Sequence, residues 1–120
     1  MLAKMSIPKA DEQARAYFRS LVPDDPRVEV RPMFGNLAAF VNKNMFLALF
    51  GPSVAVRLPD DDRATLLKEA GAGPFEPMRG RPMKEYVVLP EAWSKSRGKA
   101  EEWAVRSFEW AAAMPPKKGK

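Results

Sequence analysis

The sequence predicts an α+β fold: a single antiparallel sheet, made of a four-strand meander plus a later strand, with N-terminal, middle and C-terminal helices in the order α-β-β-β-β-α-β-α. Three observations predict it. Apolar residues fall at helical spacing near both ends, strand-length apolar or alternating runs fill residues 28–58, and Gly or Pro residues punctuate them. The 120 residues suit one domain with one core, expected over residues 1–116 and followed by a basic tail at 117–120.

The first helix is expected over residues 10–21, where Ala10, Ala14, Tyr17, Phe18 and Leu21 share one face and Asp11, Glu12, Arg15 and Arg19 take the other. Pro23 and Pro26 end it, and Asp24-Asp25-Pro26 reads as a turn. Val28 and Val30 alternate with Glu29 and Arg31, which predicts a half-buried strand, and Pro32 puts its outer part at an edge or a bend. Residues 37–41 and 45–50 are apolar runs joined by Asn42-Lys43-Asn44, a hairpin in which Asn tolerates positive φ. After Gly51-Pro52-Ser53, Val54, Val56 and Leu58 predict the fourth strand of the meander.

A middle helix is expected over residues 61–70, with Asp60, Asp61 and Asp62 capping its start and Gly71 and Gly73 stopping it. Residues 74–83, rich in Pro and Gly, are expected to be irregular. Residues 85–89 form the later strand. A final helix runs from about residue 98 to 114, with Trp103, Ser107, Trp110, Ala111 and Met114 on one face and Pro115-Pro116 as its stop. An open strand edge near residues 28–31 or 86–89 would suit pairing with another subunit, so monomer and homodimer are both open.

Composition narrows the chemistry. The chain has no Cys and no His, which removes disulfides, thiol nucleophiles, zinc ribbons, and the commonest general base and metal ligand. No cofactor and no metal are expected, and the protein is not expected to be an enzyme. The absence of disulfides fits a reducing compartment, most simply the cytoplasm. No apolar run nears membrane-spanning length, so no membrane partner is expected. Of 20 basic residues, three lie in the tail (Lys117, Lys118 and Lys120), leaving 17 against 15 acidic ones. The pI of 9.7 is therefore largely a property of the tail, and says little about nucleic acid.

Consecutive Asp60, Asp61 and Asp62 point in different directions on a helix and do not converge on a cation. Gly71-Ala72-Gly73 follows a helix rather than a strand, so a phosphate loop is not supported. Two surfaces stand out. Met33, Phe34, Gly35, Phe75 and Met78, near Met45-Phe46, form an apolar, Met-rich set that could adapt to a partner, although such residues more often fill a core. Arg79, Arg81 and Lys84 form a short basic loop that could meet phosphates or carboxylates. Arg57 and Tyr86 could line a groove, with their facing left open.

Met33-Phe34-Gly35-Asn36-Leu37-Ala38-Ala39-Phe40, followed by Asn44-Met45-Phe46, resembles the first signature of TfoX N-terminal domains. Leu58-Pro59, Phe75-Glu76-Pro77-Met78, Gly80-Arg81-Pro82-Met83 and Tyr86-Val87-Val88-Leu89-Pro90 resemble the second, and a Trp- and Ala-rich final helix completes it. Asn36 and Asn44 stand where the family usually has Gly, and Asn suits the left-handed turns that Gly would make there. The resemblance implies this fold, similar also to YjbR-like proteins, and a regulatory or adaptor role without catalytic residues. The second domain of the competence regulators is not found in this sequence. A protein partner is expected, with nucleic acid, met through the basic loop and lysine tail, as the alternative.

Overall fold

The structure, a computed structural model, describes residues 10–33, 36–76, 83–95 and 97–115. Helix α1 (Glu12–Leu21) leads into strands β1 (Val28–Met33), β2 (Asn36–Val41), β3 (Asn44–Phe50) and β4 (Ser53–Arg57). Helix α2 (Asp60–Leu67), the short β5 (Gly73–Pro74) and β6 (Tyr86–Val88) follow, then a 3-10 turn at Glu91–Lys95 and helix α3 (Arg97–Ala112). The strands form one antiparallel sheet in the order β1-β2-β3-β4-β6-β5.

The meander and the helix order are those the sequence predicts. Local turn chemistry explains the hairpins. Asn42 and Lys43 both have positive φ, 53° and 63°, the pattern of a two-residue type I′ turn whose twist matches the flanking strands. Gly51, at φ 61°, precedes Pro52 in the next reversal, where only a residue without Cβ adopts that angle freely.

Several local expectations are corrected. Residues 74–83 are not irregular from their start, because Gly73 and Pro74 pair with Val88 and Val87 as a sixth strand. That pairing covers β6 at Val87 and Val88, so the edge expected near residues 86–89 passes to the two-residue β5, and β1 and β5 are the edges of the sheet. On β1 the alternation does not give half-burial: Val30 is 38% exposed, since an edge strand has cover on one side alone. The N-cap of α2 is Pro59 and makes no side-chain bond. Asp60, Asp61 and Asp62 instead occupy the first turn, where they complement the helix dipole, and Asp60 pairs with Arg63. That helix ends at Leu67 with Lys68 as its C-cap, and Gly71 (φ 93°) turns the chain afterwards against Pro90.

The two Asn residues at Gly positions of the signature also behave differently from the expectation. Asn36 and Asn44 are the first residues of strands β2 and β3. Asn36 is buried, and its Oδ1 accepts from the Ala10 amide at 2.8 Å and the Gly51 amide at 3.3 Å. Asn44 is buried too, and its Nδ2 donates to the Pro115 carbonyl at 3.1 Å, while Asn42 Nδ2 donates to the Ala112 carbonyl at 3.0 Å. The hairpin turn thus supplies donors to the carbonyl of Ala112, the last residue of α3, and to that of Pro115 three residues beyond it.

All three helices pack on one sheet face. Phe18 and Leu21 of α1, Leu66 of α2, and Ala100, Trp103, Ala104, Phe108 and Ala111 of α3 meet Leu37, Ala39, Val41, Leu49, Val54, Val56 and Val87 from the sheet. Burying each large aliphatic or aromatic side chain contributes about 1.5–3 kcal/mol. A β-bulge adjusts this face. Ala39 pairs with Leu47 and Phe40 with Met45, so Phe46 is the extra residue. Phe46 and Leu47 therefore both enter the main core, and strict alternation fails there.

Candidate functional site

On the two sides of the bulge, Met45, Ala48 and Phe50 of β3 point to the sheet face away from the helices. They join Ala55, Phe75, Tyr86, Met83 and Val88 in a second, smaller cluster. The small alanines leave room for the Phe75 ring, which meets Phe50 edge-on at 5.7 Å and Tyr86 at 6.2 Å. The Met83 amide donates to the Phe75 carbonyl at 2.8 Å and ties these two residues of the cluster together.

Next to that cluster lies a groove of about 470 Å³. Met33, Met45 and Met83 line it with Phe40 and Tyr86, while Asn44 and Arg57 supply its polar atoms. Each methionine is half-buried, as is Phe40, so apolar surface remains available. Tyr86 is 8% exposed, and its hydroxyl donates to the Met45 carbonyl at 2.9 Å. Burial pushes this phenol up to about 12, so it is neutral in ordinary solution and serves as a hydrogen-bond donor.

Charge at the rim is organised in pairs. The Arg57 guanidinium bonds Glu85 (Nε to Oε1, 2.7 Å) and lies 5.9 Å from the Tyr86 ring and 5.7 Å from the Trp110 ring. Arg31 pairs with Glu29 at 3.6 Å and covers the Phe40 ring at 4.4 Å. Lys43 and Lys84 are exposed beside Asn44 and Met83, and neither is in an ion pair among the described residues.

The structure sorts the residues expected to act. Met33 is at the groove, and Arg57 and Tyr86, whose facing the sequence left open, line it. Phe75 is 4% exposed and supports the groove from below instead of offering surface. Lys84 is exposed at the edge. Phe34, Gly35, Met78, Arg79, Arg81 and the tail lysines lie outside the described residues. Phe40 and Asn44 were not singled out by sequence reasoning. The bulge that aligns Phe40 with Met45 has no sequence signal of its own beyond the adjacent Phe46-Leu47 pair.

A second, shallow cleft of about 720 Å³ runs between the end of α1 and α3, over Leu21, Val22 and Val105 with Glu101 and Glu102 at its side. Arg106, the one cation in its lining among the described residues, is engaged by Asp62 at 3.3 Å and Glu102 at 3.8 Å. Among the described residues no group of three carboxylates converges as a metal site requires, and no helix is long and apolar enough to cross a membrane. The TfoX N-terminal domain matches residues 16–111, a span that begins in α1, contains every strand and ends in α3. No curated protein matches the chain.

Proposed function

This chain belongs to the TfoX N-terminal domain family, and on that premise we propose that it is a non-enzymatic regulatory or adaptor module that works through protein contacts in the cytoplasm. The family points to a regulatory, competence-related role. The observation that supports protein contacts is the Met-rich groove on the sheet face that, among the described residues, no helix covers. Methionine side chains are flexible and polarisable, which suits a surface that adjusts to a partner. The available chemistry supports the non-enzymatic reading, because neither His nor Cys is present to act as base or nucleophile.

Affinity capture from the native cell tests the reading. A stable protein partner is expected with the wild-type chain, and it is expected to be lost with Met45→Asp and with Met83→Asp. Both side chains are half-buried at the second, smaller cluster and outside the helix-packed main core, so the variants should retain their helical circular dichroism. Folded variants that recover the same partner in the same amount would sink this reading. So would a wild-type chain that recovers nucleic acid and no protein.

A further inference from the structure

We propose that β1 pairs edge to edge with β1 of a second copy of this chain, antiparallel about a twofold axis at Val30. Such a contact joins copies of the protein and goes beyond the partner reading above. Successive residues of an antiparallel strand turn their backbone groups alternately towards one neighbour and the other. In β1 the Val28 amide donates to the Asp25 carbonyl at 3.0 Å, so it faces away from β2. Alternation then turns the backbone groups of Val30 and Pro32 outward as well, and Pro32 has no N–H to donate. The edge is thus guarded at both ends. Among the described residues, Val30 alone on this edge offers both a free N–H and a free C=O.

Those guards leave one register. An antiparallel copy centred on Val30 exchanges two hydrogen bonds between the two Val30 residues, and needs no donor from Val28 or Pro32. The side chains favour the same register. It sets Glu29 opposite Arg31 of the second copy, twice by symmetry. Glu29 and Arg31 are both exposed and lie 3.6 Å apart within one strand, so the twofold builds a ring of four alternating charges. The adjacent registers, centred on Glu29 or on Arg31, set like charges against each other. Arg27, the next charge along the chain, is held by Asp25 at 3.0 Å.

Burial agrees. Val28 packs against the main core, whereas Val30, on the same side of the strand, is 38% exposed. In the paired sheet the two Val30 side chains meet across the axis and carry that core over the edge. Pairing of about three residues a side falls at the small end of interfaces, below roughly 1,200 Å², so the dimer is a weak one.

Sedimentation velocity on the full chain, from about 10 µM to about 1 mM, tests this. A reversible dimer is expected for wild type within that range. Glu29→Arg alone and Arg31→Glu alone each set like charges opposite one another twice, and each is expected to weaken dimerisation at least about tenfold. Mixed in equal amounts, the two variants are expected to associate with each other within about threefold of wild type, because one strand then carries two positive charges and the other two negative ones. Val30→Pro removes an outward N–H that the β1–β2 ladder does not use, and is expected to give a monomer with wild-type helical circular dichroism. A wild type that stays monomeric throughout, a mixture no stronger than its components, or a Val30→Pro chain that still dimerises would overturn the proposal.

Discussion

Ser107 of α3 donates from its hydroxyl to the carbonyl of Phe46, 2.8 Å away, at the point where β3 bulges. The same oxygen accepts from the Arg57 amide at 3.2 Å, one position past the last paired residues of β3 and β4, Leu47 and Val56. A helix side chain thus bridges the two strands where the β3–β4 ladder ends. Ser107 is fully buried, so no water stands ready to replace it. Ser107→Ala is expected to cost roughly 2 kcal/mol, because two backbone groups lose their partner inside the protein. Chemical denaturation checks this, and a loss below about 0.5 kcal/mol would show that the bridge adds little to stability.

Asn36 gives a test of its role as a tether. Replacing it with Gly would be harmless if the position were a left-handed turn. Here the side chain holds the amides of Ala10 and Gly51, so Asn36→Gly is expected to lower stability by about 1–2 kcal/mol. Thermal unfolding of the two proteins measures it.

At Asn42 the turn and the tether can be separated. Asn42→Gly keeps the positive φ and removes the bond to the Ala112 carbonyl, whereas Asn42→Ala also strains the turn. The Ala variant is expected to be about 1 kcal/mol less stable than the Gly variant. Both should speed amide exchange at the end of α3, where hydrogen exchange read by mass spectrometry would reveal it.

Tyr86→Phe leaves the Met45 carbonyl without its donor and is expected to cost about 1 kcal/mol at neutral pH. The pH profile carries a second signature. Because the folded phenol is raised from 10 to about 12, its contribution is complete below pH 10 and lost as pH rises towards 12. The gap between wild type and variant should therefore narrow across that window. A gap that stays constant would contradict the buried, neutral phenol.

Asp25, in the turn before β1, offers the opposite sign. Side-chain and backbone bonds from Arg27 hold its carboxyl down at about 2 against an ordinary 3.8. Its contribution is present above pH 3.8 and lost as pH falls towards 2. Arg27→Ala should return the Asp25 carboxyl towards its ordinary value, which carbon-detected NMR titration would report.

Much of the fold was legible because its signals are local. Helical spacing in residues 10–21, apolar runs of strand length, and Asn or Gly at the hairpins each act over a few neighbouring residues. β5 was not, since two residues of Gly and Pro become a strand through pairing with β6 alone. The groove was legible in part. Met33, Arg57 and Tyr86 could be named, but their common face could not.

The sequence by itself determined the α+β class, the order of elements, and the lack of His and Cys chemistry, since composition and short-range periodicity suffice for these. The tertiary structure alone decided which residues share a surface. One extra residue at Phe46 reverses the facing of every side chain on one side of it relative to the other, and that shift brings Met45 beside Phe40. Likewise Asn36 and Asn44 became tethers because their partners lie 26 and 71 residues away, a distance in sequence that no local pattern encodes.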